Sequence, residues 1–391
     1  MKKRITALAL VCMLSLASLV GCGGGGTSNA GDSSSDTIKI GGLAPLTGNL
    51  SIYGIATDNG IKMAIEEINE AGGVLGKKID YVVYDEKGDA TEAVNAYNKL
   101  IQSDKIEALI GDVTSGPSIA VAQQAVKDGI PMITATGTAA DITKAGENVF
   151  RVCFIDPYQG EKMANYAVEK LSAKTAAVFY QTGNDYSEGL MNAFVEKAAE
   201  LGLEIVDTEA FAEGDKDFKA QMTNIAAADP DVVFAPIYYA EAGLAITAAR
   251  AAGCDAVFMG GDGFGSVKNY ASAEDLEGSV YCSGYAPGTD SVKQFEEDYK
   301  AAYNVDEIPN MFAPLAYDAA MLLCEGLKAA EEQGLTAGTD EYKQAVIDAI
   351  KNMNGTEGIT GSYSFDEYNN PIKPVAIIEL TGGDEVYQEM F

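Results

Sequence analysis

Hydroxyl, aromatic and acidic residues recur in this chain where β-forming runs give way to turns. Tyr53 follows the run Ile38–Leu46. Ser115 follows Ile106–Val113, inside Thr114-Ser115-Gly116-Pro117-Ser118. Thr136, Gly137 and Thr138 close the run that starts at Pro131. Tyr186 follows Ala176–Tyr180, Tyr238 and Tyr239 follow Val232–Ile237, and Asp262 follows Phe258-Met259-Gly260-Gly261. In open α/β sheets, ligands sit beyond the carboxyl ends of the strands. The residue types gathered there suit a small zwitterion with an apolar side chain. Helix N-termini and hydroxyls meet a carboxylate, an acid meets an ammonium, and rings enclose the rest.

Each of these residues also has a plainer reading. Ser115 can cap the helix that follows, with Pro117 in its first turn, where a missing N–H costs nothing. Thr138 lies in a Thr/Ala-rich loop. Tyr53 can staple its own helix, and Tyr186 can be the neighbour of a cap. Tyr238 and Tyr239 point opposite ways if extended, so one of them at most faces a cleft. Asp262 sits in "GGDGFG", which lacks the spacing of a dinucleotide loop and reads as a turn that lets backbone approach a ligand.

The elements that must carry these residues alternate. Strand-like Ile38–Leu46, Lys78–Tyr84, Ile106–Val113, Pro131–Thr136 and Val149–Phe154 are separated by helical patterns at Asp58–Glu70, Thr91–Ser103 and after Ser115. A second series runs from helix Tyr158–Leu171 through strands Ala176–Tyr180, Glu204–Val206, Val232–Tyr238 and Ala256–Met259. Its helices are Glu188–Glu200, Asp217–Ala228 and Glu241–Ala252. Two long helices, Met311–Gln333 and Glu341–Met353, and strands Ser362–Phe365 and Val375–Leu380 close the chain. Such βα alternation means mostly parallel sheets covered by helices. At 391 residues the chain exceeds one core, so two lobes are expected.

Composition removes several functions. The formal net charge is −31, which disfavours nucleic acid and anionic lipid as partners. There is no histidine, which excludes Ser-His-Asp and Cys-His nucleophiles and every histidine-held metal. No cofactor or metal is expected, and no enzyme; a catalyst acting on a small acid through Asp262 and the tyrosines is the weaker alternative. Cys153, Cys254, Cys282 and Cys324 show no CxxC spacing and read as buried apolar residues, with a disulfide left open.

The first residues read as a targeting segment. Lys2-Lys3-Arg4 precede an apolar stretch, Ile5–Val20, of about 16 residues, short for a membrane span. Leu19-Val20-Gly21-Cys22 resembles a bacterial lipobox. That resemblance implies cleavage before Cys22, a lipid on its sulfur and a membrane-anchored protein outside the cytoplasm. Removing the three basic residues takes the net charge from −31 to −34. Gly23–Asp36, "GGGGTSNAGDSSSD", reads as a flexible tether.

From Ile38 to the C-terminus the chain resembles the solute-binding lipoproteins of branched-chain amino acid ABC transporters. The resemblance rests on "IKIGGLAPLTGNLSIYG", "GIKMAIEEINEAGGVLGKKIDYVVYDEKGDATEAV", "PMITATGTAADIT", Gly214–Lys219 and "AARAAG" in this order. It implies the type I periplasmic-binding fold: two αβα lobes joined by three hinge crossovers, near 155–157, 285–287 and 366–371. The implied divisions are 1–21 signal peptide, 22–37 lipidated Cys22 and tether, 38–156 with 288–364 for lobe 1, and 157–287 with 365–391 for lobe 2. The implied function is capture of a free amino acid, Leu, Ile or Val, for delivery to permease subunits by a monomer. A ligand sensor, or a binder of another carboxylate or amide, is the alternative.

Carried over position by position, Ser115 and Thr138 hold the ligand's charged ends, and Thr136 contributes backbone beside Gly137. Tyr53, Tyr186 and Tyr238 line the cleft. Asp262 pairs with the ammonium, and Phe312 lies at the side-chain pocket. Two departures stand out. The leucine-type relative has glutamate where this chain has Asp262, and its first-lobe disulfide falls here on Gly88 and Thr114.

Overall fold

The computed structural model describes residues 37–391. The expected signal segment, Cys22 and most of the tether lie outside the described residues.

The first lobe is built on β1 (Thr37–Ala44), α1 (Ser51–Glu70), β2 (Lys78–Asp85), α2 (Ala90–Lys99), β3 (Ala108–Ile110), α3 (Ser115–Asp128), β4 (Met132–Thr134), α4 (Asp141–Lys144) and β5 (Val149–Arg151). The five strands form one parallel sheet in the order β2-β1-β3-β4-β5. Two of its three inner strands, β3 and β4, are three-residue pieces, Ala-Leu-Ile and Met-Ile-Thr, buried at every position. A parallel strand covered on both faces needs such a run, because neither face meets water.

The chain then crosses into a second sheet. Here α5 (Asp156–Glu169), β6 (Thr175–Gln181), α6 (Asp185–Leu201), β7 (Glu204–Phe211), α7 (Lys219–Ala228), β8 (Val232–Phe234), α8 (Tyr239–Ala251), β9 (Val257–Gly260), α9 (Ala273–Leu276) and β10 (Val280–Ser283) follow in turn. A second crossover returns the chain to the first lobe as α10 (Lys293–Tyr303), α11 (Phe312–Glu332), α12 (Asp340–Lys351) and the hairpin β11 (Asn354–Gly358) with β12 (Gly361–Ser364). After a third crossover, β13 (Ala376–Thr381) and β14 (Asp384–Met390) join the second sheet. That sheet runs β14-β13-β10-β9-β8-β6-β7 and is parallel except where β13 and β14 add antiparallel strands.

Local chemistry explains the helix ends. Asp89 caps α2 by accepting from the N–H groups of Thr91 and Glu92, and Asn184 caps α6 by accepting from Ser187. Gly129 and Gly202 end α3 and α6 in the left-handed conformation. Several elements have no counterpart among the runs read from the sequence: the short α4, α9, β10 and β11, and the longer α10 and β14. In α10 only Phe295 and Tyr299 are buried, and β14 alternates exposed with half-buried residues in an acidic edge strand. Neither carries the apolar run that marks a core element.

The four cysteines in the described residues are free and buried, as apolar residues would be. No helix among the described residues is long and apolar enough to cross a membrane.

The third crossover is fastened by a buried polar chain. The Asp318 carboxylate, on α11, accepts from Ile359 N (2.8 Å), Thr360 N (2.9 Å), Thr360 Oγ1 (2.5 Å) and Tyr363 OH (2.8 Å). Lys373 Nζ donates to Thr360 Oγ1 at 2.7 Å and to Tyr363 OH at 2.9 Å. Burial lowers the Lys373 ammonium to about 8, with Asp318 opposing the shift. Replacing Asp318→Ala strands four donors and an ammonium together. Denaturant unfolding at pH 7 should show a loss of about 3–5 kcal/mol.

Candidate functional site

The polar residues beyond the strand ends converge on the seam between the two lobes. Ser115 opens α3 but does not cap it. Thr114 is the N-cap residue and makes no side-chain cap bond. The Ser115 hydroxyl instead accepts from Ala139 N at 3.2 Å, reaching across to the loop after β4. The Thr136 hydroxyl donates to Val113 O at 2.8 Å, and Thr138 O accepts from Asp156 N at 3.0 Å. Gly137 is packed on every side: a Cβ there would lie 2.8 Å from Ile142, Ser118 and Thr134 side-chain atoms. The loop is therefore laced to both β3 and the start of α5. The first turn of α3 keeps two buried hydroxyl oxygens, Thr114 Oγ1 and Ser118 Oγ, without hydrogen-bond partners among the described residues.

Aromatic rings form the opposite wall. Tyr53, on α1, is fully buried, and its ring lies 4.2 Å from Phe312, 4.6 Å from Tyr239 and 5.9 Å from Tyr238, centroid to centroid. Tyr186 stacks on Tyr238 at 5.0 Å and 12°. Tyr238 and Tyr239 both reach Tyr53, contrary to the expectation that one at most faces the seam. The reason is local: Tyr238 is the N-cap of α8 and Tyr239 its first residue, so the chain is already turning and period-two alternation does not apply. Phe312, a helical aromatic that could have been ordinary core, is the first residue of α11 and packs directly on Tyr53.

The same residues tie the lobes together. Tyr53 OH donates to Gly263 O at 2.5 Å, and Tyr239 OH donates to Asn49 O. Ser266 Oγ donates to Pro309 O at 2.6 Å and accepts from Asn310 Nδ2 at 3.2 Å. Lys268 pairs with Glu307 at 2.6 Å. Gly263 permits the approach, since a Cβ there would stand 2.7 Å from Tyr186 OH and 2.9 Å from Ile237 O. Together these contacts place the turn that carries Asp262 against the first lobe.

Asp262 is 2% exposed. Burial pushes its carboxyl up to about 7, against the lowering effect of hydrogen bonds from Gln159 and Tyr186. A second acid lies beside it. Asp156, the first residue of α5, is 1% exposed. Burial holds its carboxyl well above the usual range, a bond from Thr138 opposes that, and the neighbouring Asp262 charge adds to it. Gln159 stands between the acids: its Oε1 accepts from Asp262 N at 3.0 Å and its Nε2 reaches Asp156 Oδ1 at 3.5 Å. One oxygen of each acid, Asp156 Oδ2 and Asp262 Oδ1, is buried with no partner among the described residues.

Asp156 and Gln159 were not singled out as site residues by the sequence reading, and Tyr239 stood among the strand-end candidates only as an alternative to Tyr238. Asp156 had a signal: it follows β5 as the other candidates follow their strands, but its neighbour Pro157 marked the position as a crossover. Gln159 had none, since it acquires its role one helical turn later. No group of three or more His, Cys, Asp or Glu side chains that could hold a metal occurs among the described residues.

The model of the periplasmic binding protein family matches residues 37–384. The Leu/Ile/Val-binding protein BraC3 of Rhizobium johnstonii is 34% identical over 331 residues, covering 84% of this chain and 88% of its own. The leucine-, isoleucine-, valine-, threonine- and alanine-binding protein of Pseudomonas aeruginosa is 32% identical, covering 85% and 86%. Among solved structures, the branched-chain amino acid transporter substrate-binding protein LivJ of Streptococcus pneumoniae, in complex with isoleucine, superposes with a TM-score of 0.84. It is 34% identical and covers 91% of this chain and 99% of its own. With its two α/β lobes, three crossovers and a polar seam between them, this chain belongs to the periplasmic binding protein family, and the relatives it resembles here are named as branched-chain amino acid-binding proteins.

Proposed function

We propose that this protein binds one free amino acid with an aliphatic side chain, leucine, isoleucine or valine, between lobes bounded by residues 38–156 with 288–364 and 157–287 with 365–391. The observation that carries this reading is the pair of carboxyl oxygens, Asp156 Oδ2 and Asp262 Oδ1, buried at the seam with no partner among the described residues. Two adjacent buried acids repel, and each is costly to ionise. A cation placed between them relieves both penalties, and the ligand's ammonium is that cation. The carboxylate of the same ligand rests on the first turn of α3, on Ser115 and on the loop Thr136–Thr138, where amides and hydroxyls gather. Its side chain lies against Tyr53, Tyr186, Tyr238 and Phe312. The names of the relatives support this choice, as does the absence of histidine and of any metal-ligand set among the described residues. The protein catalyses nothing; it works outside the cytoplasm and delivers its ligand to the permease subunits of an importer as a monomer, held to the membrane by a lipid on Cys22.

Calorimetry and thermal melting test the ligand. Leucine, isoleucine and valine should each bind with one site per chain and raise the melting temperature with concentration. A full panel of free amino acids with no stabilisation by any of them defeats the reading.

Asp262 gives a sharper test. Its folded pKa, about 7, lies above the unfolded value for aspartate, so the native state holds the proton more tightly. Its contribution to ligand-free stability is complete below about pH 4 and is lost as pH rises through about 7. The stabilisation gained from leucine should accordingly grow from pH 5 to pH 8, as the carboxylate forms and takes the ammonium. Asp262→Asn should melt a few degrees higher than the natural protein at pH 8 without ligand, yet bind leucine roughly 100-fold or more weakly. Equal affinity in the two proteins would remove Asp262 from the site.

The anchor has its own check. Cys22→Ser should move the protein from the membrane fraction to the soluble fraction of its cell, and a chain that stays with the membrane would refute lipidation at that sulfur.

A further inference from the structure

Arg151 ends β5 with its side chain wholly buried. All its hydrogen bonds go to uncharged oxygens: Nη1 to Gly137 O at 2.7 Å, and Nη2 to Ala139 O at 2.7 Å and to Thr143 Oγ1 at 3.2 Å. Its Nε has no partner among the described residues. Burying a guanidinium against carbonyls forfeits much of its hydration, and an apolar side chain would fill the same space at less cost. The Asp156 and Asp366 carboxylates favour the charge at longer range, yet neither accepts a hydrogen bond from it, so the grip of the fork on two loop carbonyls calls for a reason of its own.

The reason lies in which carbonyls it holds. Gly137 C=O and Thr138 N–H belong to one peptide unit, so a cation on that oxygen polarises that N–H. Thr138 N–H has no hydrogen-bond partner among the described residues. Ala139 N–H is spent on the Ser115 hydroxyl oxygen, which leaves the Ser115 proton free to donate elsewhere. The fork itself is held in plane from behind, because Thr143 Oγ1 donates to Asn370 Oδ1 at 2.9 Å on the third crossover. A lysine could bring the charge but could not grip both carbonyls at once.

We propose that Arg151 is a positioning residue for the loop Thr136–Ala139 and that its guanidinium makes the seam select a ligand's carboxylate over the corresponding amide. It does so without touching the ligand, by aiming and polarising Thr138 N–H and by leaving Ser115 O–H free. This inference rests on the amino-acid reading above and refines it.

The test compares leucine with leucinamide on the full chain and on Arg151→Met, Arg151→Lys and Thr143→Val, each checked for folding by circular dichroism. Calorimetry of the natural protein should favour leucine. In R151M the leucine affinity should fall about ten-fold or more while leucinamide affinity changes less than about three-fold, so that the preference collapses. R151K should recover part of it. A purely structural role would weaken both ligands alike, and an unchanged preference in folded R151M overturns the proposal. If R151M does not fold, R151K and T143V carry the test, since each keeps the charge and disturbs the fork. An undiminished preference in both overturns it as well. A ligand-free measurement separates this failure from failure of the functional reading. The Thr138 amide proton resonance of the ligand-free protein should move upfield in R151M, as polarisation of that N–H is lost. If neither leucine nor leucinamide binds the natural protein, the amino-acid reading is lost, and an unchanged Thr138 amide resonance in the two proteins then rejects the role of Arg151.

Discussion

Two carboxyl groups kept out of water side by side are the constraint around which this molecule is arranged. Asp156 starts the helix that enters the second lobe, and Asp262 sits in a turn after β9, within that same lobe. Both are buried, each has an oxygen without a partner among the described residues, and the buried cation Arg151 spends its hydrogen bonds on the Gly137 and Ala139 carbonyls and the Thr143 hydroxyl. A protein folded for stability alone would not place them so, because desolvated like charges cost more than apolar residues of the same volume. The ammonium of the proposed ligand would supply the missing charge.

The rest of the seam keeps those acids dry. Tyr53 spans it, with its ring against Phe312 and its hydroxyl on Gly263 O. Tyr186 braces the same turn from the other side by accepting from Gly263 N at 2.8 Å. Gly263 is thus gripped from both lobes, and Asp262, next to it, cannot move without disturbing two tyrosines. On the first lobe the corresponding work falls to Arg151, Thr134 and Ser115, which together fix the backbone of the loop at 136–139. Burial raises the hydroxyl pKa of Tyr53 and of Tyr186, so both remain neutral donors at any physiological pH. The lobes are joined across the seam by hydrogen bonds and ring contacts and, among the described residues, by one ion pair, Lys268–Glu307.

Much of this was legible in the residues. The alternation of apolar runs with helical stripes carried the two α/β layers, since a parallel strand covered on both faces is largely apolar, and β3 and β8 are wholly so. Polar residues just past those runs stood out because strand ends are where such sheets leave room. The edge strand β14 and the helix α10 did not stand out, because acidic, half-exposed elements look like loops until something packs against them. Asp156 was hidden by the proline beside it, and the shared orientation of Tyr238 and Tyr239 by the assumption of an extended chain where a helix begins.

The sequence alone determined the chemistry available: no histidine to catalyse, hydroxyls and rings at strand ends, an acid among glycines, and an excess of negative charge. These follow from residue types and short-range spacing, which need no partner in space. Only the tertiary structure decided that Asp156 and Asp262, 106 positions apart in numbering, meet through Gln159, and that Arg151 turns toward carbonyls rather than toward either acid. Those choices depend on three crossovers bringing distant segments together. Desolvation, which gives each of those charges its energy, exists only once the lobes have packed.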